Sequence, residues 1–221
     1  MLYLVPTPIG NLSDITYRAV EVLKSVDYIL AEDTRQSGKL MKEYGIVTPS
    51  FSFHIHNEHH KLPSIIEDLK SGKQIALVSD AGSPGISDPG YLLVRECVRE
   101  DIDVSGLPGP TALITALITS GIPCDRFTFE GFLPHKKGRQ SKWKEISERQ
   151  ETTVLYESPH RIKKCIKEAY TACGPGRQIC IAREITKIHE EYIRGTVETV
   201  IKEIENRKNI KGEIVIILAG A

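Results

Sequence analysis

The stretch Ser79-Asp-Ala-Gly-Ser-Pro-Gly-Ile-Ser-Asp-Pro-Gly90 decides how this chain is read. The apolar run Ile75-Ala-Leu-Val78 leads into it and has the length and composition of a buried strand. A helix leads out: Asp88 suits the N-cap, Pro89 the first helical position, and Leu92, Leu93, Val94, Cys97 and Val98 supply an apolar face. Glycine lets the backbone approach a ligand closely and take a positive φ, and proline stiffens the turn. In an open α/β sheet, ligands bind at the carboxyl ends of strands, where such a loop sits. A long connection rich in turn formers has the same local composition. Length and aspartate content favour a binding loop.

Upstream, Leu2-Tyr-Leu-Val5 reads as a first strand ending in another Pro/Gly loop, Pro6-Thr-Pro-Ile-Gly-Asn11. Ile15, Ala19, Val22, Leu23 and Val26 recur at helical spacing and predict an amphipathic helix over about 14–26. Tyr28-Ile-Leu30 is a short strand running into Ala31-Glu-Asp-Thr-Arg35, either a solvated turn or a substrate-facing cluster. Phe51 to His56 alternates, placing Phe51, Phe53 and Ile55 on one side and Ser52, His54 and His56 on the other. With Asn57, Glu58, His59 and His60 this raises the question of a metal. The spacing matches no helical zinc pattern, and a polar cleft wall is the better reading. Pro63 suits the start of a helix ending at Ser71-Gly72.

Downstream, the strand Ile102 to Ser105 meets Leu107-Pro-Gly-Pro-Thr111, a third rigid turn, and then an apolar helix, Ala112 to Thr119. Gly121 and Pro123 mark the expected hinge, dividing the chain into domains 1–121 and 122–221. The second half alternates strands (127–132, 152–156, 178–182, 192–194, 214–218) with helices to about Cys173 and over 196–206. Its Lys136, Lys137, Arg139, Lys142 and Lys144, with Trp143 among them, form the densest basic stretch. That stretch is either a solvated helix start or a phosphate contact with an aromatic available for stacking.

Composition limits the function classes. Lysines and arginines balance aspartates and glutamates, 29 against 29, so nucleic-acid binding has to use a local patch. The five cysteines are scattered without a C-x-x-C pair, as expected of reduced thiols in a cytoplasmic protein. No signal peptide or membrane span is expected, since no apolar run approaches the necessary length. The G-x-G-x-x-G, Walker A and G-x-S-x-G fingerprints are all absent. Strands alternating with helices predict an α/β protein with mostly parallel sheets.

Seven motifs carry the reading further: PTPIGN (6–11), AEDTR (31–35), SDAGSPGISDPG (79–90), LPGPTA (107–112), FEGFLP with KKGR (129–139), YESPHR (156–161) and ARE-I-TK (182–187). In this order they resemble the tetrapyrrole-methylase superfamily, in particular its ribosomal RNA branch, and they cover the chain from Leu2 to about Leu218. Many members continue past the final strand, where this sequence ends at Ala221. The resemblance implies the class III methyltransferase fold. That fold has two α/β domains, each a mostly parallel sheet flanked by helices, with S-adenosylmethionine in the cleft between them. It implies 2′-O-methylation of a decoding-centre cytidine of 16S rRNA in the small ribosomal subunit, by a homodimer without metal. Carried over by position, Ile9, Gly10, Asp80, Ser83, Thr111, Ala112, Tyr156, Ala182 and Glu213 are the cofactor-binding residues, with Ala81 replacing the proline of the family's Gly-Asp-Pro loop.

A weakly acidic 2′-hydroxyl benefits from a base within hydrogen-bond reach. Asp33, Arg35, Asn57 and Asp88 are the catalytic candidates, with Asp33 as first choice for base or hydroxyl-orienting group, and Asp88 also serving as a helix cap. Lys136, Lys137, Arg139 and Arg161 are the substrate-binding candidates, because guanidinium and ammonium groups suit phosphate. The alternatives are a methylase of a tetrapyrrole carbon, a cofactor-binding module without catalysis, and metal-dependent hydrolysis through the histidines.

Overall fold

The computed structural model describes residues 1–221, which divide into two compact units, Met1–Thr111 and Ala112–Ala221. The sequence places the boundary ten residues later, after the apolar helix. That helix, α5 (Ala112–Thr119), packs on the sheet of the second unit and so belongs to it.

In the first unit the elements are β1 (Leu2–Leu4), α1 (Tyr17–Ser25), β2 (Tyr28–Ala31), α2 (Thr34–Glu43), β3 (Ser50–Ser52), α3 (Glu58–Lys70), β4 (Ile75–Val78), α4 (Tyr91–Arg99) and β5 (Val104–Gly106). The strands form one wholly parallel sheet in the order β3-β2-β4-β1-β5. All four residues of β4 are buried, as a central strand covered on both faces requires. Ala19 and Leu23 of α1, with Met41 and Tyr44 at the end of α2, pack with Val5, Ile29, Ala76 and Val78 on one face. Ile65, Ile66 and Leu69 of α3, with Leu93 and Cys97 of α4, pack with Leu2, Leu30, Ile75 and Leu77 on the other. The chain therefore leaves β1 over one face towards β2 and leaves β4 over the opposite face towards β5. Adjacent parallel strands whose connections part in this way open a crevice at their carboxyl ends, and β1 and β4 are neighbours.

Three local expectations are corrected. β3 stops at Ser52, because Asn57 Oδ1 accepts the His54 N–H at 2.9 Å and turns the chain; Phe53 is fully buried while Phe51 and Ile55 are exposed. Helix α3 begins more than a turn before Pro63, at Glu58, and encloses the proline. Helix α4 is preceded by Gly90 at φ 139°, not capped by Asp88. A Cβ on Gly90 would stand 2.9 Å from Leu77 Cδ2, so this loop closes back onto β4.

The second unit contains α5, β6 (Phe127–Phe132), α6 (Arg139–Glu148), β7 (Thr152–Glu157), α7 (Ile162–Cys173), β8 (Gln178–Arg183), β9 (Glu191–Thr196), α8 (Val197–Asn206) and β10 (Ile214–Leu218). Its sheet runs β6-β7-β10-β8-β9. Only β6 and β7 are parallel; the other three pairings are antiparallel, so this sheet is mixed where a mostly parallel one is expected. The reason is connectivity: β8 and β9 follow one another without a helix and fold as a hairpin, and β10 inserts between β7 and β8. Leu155, Ile179, Ile181, Ile193, Ile214 and Ile216 face a core closed by α6, α7 and α8. Alternation along the strands turns Val154, Cys180 and Val215 to the other side, where α5 packs.

Candidate functional site

The three Pro/Gly loops of the first unit are fastened to one another at the carboxyl edge of its sheet. Thr7 and Gly82 exchange two backbone hydrogen bonds of 2.9 Å, an isolated antiparallel bridge between the loops after β1 and β4. Thr7 Oγ1, buried, donates to the Ser79 carbonyl at 3.0 Å. Ser83 Oγ donates to the Pro110 carbonyl at 3.2 Å, tying in the loop after β5. Pro6 lies against Gly109 so closely that a Cβ there would sit 2.6 Å from Pro6 Cβ. Ile9 is buried, with Cγ2 3.5 Å from the position of a Cβ on Gly82, and Gly10 is exposed. Four of the expected cofactor residues, Ile9, Gly10, Asp80 and Ser83, thus stand on one fastened rim, and Thr111 follows directly after the third loop.

Beside this rim lies a cluster of carboxylates. Glu32 follows the last residue of β2, and Asp80 comes two residues after β4, its neighbour in the sheet. Burial pushes the Glu32 carboxyl up, helped by the charges of Asp80 and Asp33 and opposed by His54. Asp88 responds most. Burial first, then the charges of Glu32 and Asp80, push it up to about 7, against a hydrogen bond from Ser79. A carboxylate near neutrality is suited to taking up a proton at physiological pH.

Asp33 is the opposite case. Its Oδ1 accepts from Arg35 N–H at 2.9 Å, so that it caps α2, and the Arg35 guanidinium holds both carboxylate oxygens at 3.0 and 2.7 Å. These bonds from Arg35 hold its pKa down to about 2. Of the two roles expected of Asp33, base or hydroxyl-orienting group, so low a pKa disfavours the first; its own N–H donates to Asp80 Oδ1 at 2.9 Å. Arg35 remains 88% exposed at the side chain and presents its guanidinium outward. Asn57 is bonded within its own turn: its Oδ1 accepts from His54 N–H, and its Nδ2 contacts His54 Nε2 at 3.1 Å and Ser52 Oγ at 3.3 Å. Sequence reasoning passed over Glu32 and the role of His54 beside it. Glu32 lies within AEDTR, but its neighbour Asp80 is set by the β2–β4 pairing, which no local pattern shows. No group of three or more His, Cys, Asp or Glu side chains is disposed to hold a metal ion.

In the second unit, Tyr156 of β7 and Ala182 of β8 both pair with Val215 of β10, placing the three on one rung of the sheet. Ala182 is fully buried, and Phe129 and Phe132 stand edge-on to the Tyr156 ring at 5.0 and 5.7 Å. Ala112 opens α5, and Glu213 precedes β10 with its carboxylate 2.8 Å from Lys187 Nζ. Two of the substrate-binding expectations are corrected. Arg139 is 3% exposed, with Nε 2.7 Å from Glu168, Nη2 3.4 Å from Glu157, and Nη1 donating to the Pro134 carbonyl at 3.1 Å. Arg161 Nε lies 2.7 Å from the other oxygen of Glu157, and its Nη1 donates to the Leu133 carbonyl. Both guanidinium groups lock the FLP turn from inside and are not presented to phosphate. Trp143 is likewise buried, its Nε1 donating to Glu168 at 3.1 Å, and offers no face for stacking. Lys136 and Lys137 are exposed.

Residues 1–201 match the family Tetrapyrrole (Corrin/Porphyrin) Methylases. The chain belongs to the tetrapyrrole methylases. A Synechocystis protein named Ribosomal RNA small subunit methyltransferase I is 49% identical to it over the whole chain and 79% of that relative. A Vibrio cholerae protein of the same name is 50% identical, again over the whole chain, which covers 77% of it. A Hydrogenobaculum protein of that name is 49% identical over 99% of the chain and 95% of its own length. Among solved structures, diphthine synthase superposes with a TM-score of 0.76 at 14% identity, covering 99% of this chain and 89% of the other. A cobalt precorrin-4 methyltransferase superposes at 0.69 with 17% identity, covering 99% and 94%. These two show the shared methylase fold. The cofactor of this tetrapyrrole methylase is S-adenosylmethionine. The residues present fit it: the loop rim offers backbone groups at close approach, and the carboxylates of Asp80 and Glu32 suit a cationic sulfonium and ribose hydroxyls.

Proposed function

We propose that this chain transfers a methyl group from S-adenosylmethionine to the ribose 2′-oxygen of a cytidine in the 16S rRNA of the small ribosomal subunit, in the cytoplasm and as a homodimer. The reading is carried by identity of 49–50%, spread over the whole chain, to relatives named for methylating small-subunit ribosomal RNA.

The chemistry assigned to the chain's own groups follows from the carboxylate cluster. When bound, S-adenosylmethionine supplies an electrophilic methyl whose S–C electron pair returns to sulfur. Asp88 would accept the 2′-hydroxyl proton at a carboxylate oxygen, leaving the ribose oxygen nucleophilic towards that methyl. Its pKa of about 7 makes it half ionised at neutral pH and a far stronger base than Asp33 at about 2. A base so placed contributes about 10²–10⁴-fold, and orientation of the two reactants supplies on the order of 7–11 kcal/mol of the remaining barrier reduction. The Ser79 hydroxyl donates to the Gly82 carbonyl at 3.0 Å and fixes the loop that carries Asp88. The backbone around Ile9, Gly10, Ser83 and Thr111 would hold the cofactor, and Asp80 offers acceptors for its hydroxyls. Arg35, Lys136 and Lys137 contact phosphates of the RNA.

The test is transfer of labelled methyl from S-adenosylmethionine to small subunits from a strain lacking the protein, followed by nucleoside analysis. Label is expected in 2′-O-methylcytidine at one position. Tight cofactor binding without incorporation would overturn the reading and favour a tetrapyrrole acceptor. Light scattering of the purified protein tests the dimer.

A further inference from the structure

A groove of about 700 Å³ runs between α6 and α7, on the side of the second sheet where α6, α7 and α8 pack. Nothing in the reaction above uses it. Lys144 of α6 and Lys163, Lys164 and Lys167 of α7 line it. Its acidic lining residue, Glu168, is engaged from within by Arg139 at 2.7 Å and Trp143 at 3.1 Å, and Lys164 reaches its other oxygen only at 3.8 Å. Lys163 lines the groove with its stem, and its Nζ donates to the carbonyls of Glu205 and Arg207 at 3.2 and 2.7 Å. Lys167 pairs with Glu205 at 2.9 Å across two largely exposed side chains, a contact weak enough to be exchanged for another anion.

We propose that this groove docks the phosphodiester backbone of the substrate ribosomal RNA at a point away from the methylated nucleotide. The inference rests on the rRNA reading above. In a chain of zero net charge, four lysines around one groove are a local electropositive site, and the affinity of such a site comes from released counterions. Lysine acts on phosphate as a point charge. Gln140, Ser147, Thr171 and Ala172 complete the walls beside the lysine stems, and the only aromatic of the groove, Trp143, is 4% exposed. With no exposed ring for a base to stack on, recognition is of backbone and independent of sequence. A docked protein would require an aromatic or aliphatic anchor pocket instead.

The experiment uses the full chain carrying Lys144→Glu, Lys164→Glu and Lys167→Glu together, with the corresponding triple glutamine variant as a milder partner. Because Lys164 and Lys167 project into solvent, both variants are expected to melt like the wild type. Binding to naked small-subunit rRNA is measured from low to high salt, together with kcat and KM on small subunits and calorimetry with S-adenosylmethionine. The glutamine variant is expected to flatten the log K against log salt slope by about 3, roughly one per lysine. The glutamate variant should weaken binding by at least about tenfold, and equally for unrelated RNA sequences, raising KM while kcat and cofactor affinity stay at wild-type values. Wild-type slope and KM in both variants would overturn the proposal. So would loss of affinity for assembled subunits with unchanged affinity for naked rRNA, which would assign the groove to a ribosomal protein. If the wild type makes no 2′-O-methylcytidine yet shows the salt slope that the variants lose, the reaction assigned above fails while the groove stands.

Discussion

Asp88 carries two consequences of one environment. In the reaction, the rate should rise about tenfold per pH unit below pH 7 and level off above it, as the carboxylate whose pKa is about 7 ionises. Asp88→Asn should abolish that dependence and lower kcat by about 10²–10⁴-fold while calorimetry still shows cofactor binding. A variant with wild-type kcat would remove Asp88 from the reaction. In stability the sign is opposite. The folded chain holds the Asp88 proton more tightly than the unfolded chain, whose carboxyl has the ordinary 3.8. The folded state thus binds more protons between the two values, and stability falls as pH rises from about 4 to about 7. Above pH 7 the ionised, half-buried carboxylate is a standing cost, so Asp88→Asn should melt at a higher temperature than wild type at pH 8, with the difference vanishing towards pH 4. Activity and stability trade against each other at this residue, which is how a strained functional group is distinguished from a structural one.

At the scale of elements, the contrast between Arg139 and the lysines separates what sequence can and cannot say. KKGR is legible as a basic run, and α6 begins within it as a helix. Which cations face outward is decided by Glu157, at the end of β7, and Glu168, in α7, both distant in sequence. Arg139→Ala should therefore act on stability, costing about 1.5–3 kcal/mol through the lost bonds to Glu168 and Glu157, the latter still paired with Arg161, with the salt dependence of RNA binding unchanged. Denaturant unfolding beside salt-dependent binding checks this, and a flattened salt slope in a stable variant would return Arg139 to the RNA surface. The long apolar strands and the Pro/Gly loops were legible because burial and turn chemistry are written locally in β4, β10 and the SDAGSPG stretch. The mixed second sheet was not, because the direction of β10 depends on where it inserts. The end of β3 was missed for a related reason: Phe53 and Ile55 continue an alternating pattern that Asn57 interrupts by binding the His54 N–H. Loop packing gives a prediction of its own. Gly109→Ala forces a methyl into Pro6 and should destabilise the fold by roughly 1–3 kcal/mol. It should also weaken cofactor affinity by displacing the loop after β1; calorimetry showing wild-type affinity would separate that loop from the cofactor.

At the scale of the whole molecule, two sheets, the first with a core on each face, make two potential cooperative units, and the cofactor's effect on each can be read separately. The first unit's contribution is its fastened rim, where residues 6–11, 79–90 and 107–111 meet through the Thr7–Gly82 bridge, the Ser83–Pro110 hydrogen bond and the Pro6–Gly109 contact. These are loops without regular ladders, so their amides exchange through local opening well below the global unfolding energy. A ligand that binds only the closed rim raises the opening energy by mass action, about 2.7 kcal/mol at one hundred times its Kd, which slows exchange roughly a hundredfold. Hydrogen exchange with and without S-adenosylmethionine should therefore show such slowing across 6–11 and 79–90. The Asp88→Asn variant should show the same protection, since it removes the base and leaves the rim intact. Unchanged exchange in these loops, under conditions where calorimetry reports saturation, would mean that the rim is only a structural seam and would move the cofactor elsewhere in the chain. Protection in the wild type that is lost in Asp88→Asn would instead make Asp88 part of the cofactor's own binding, and the search for the base would begin again at Glu32.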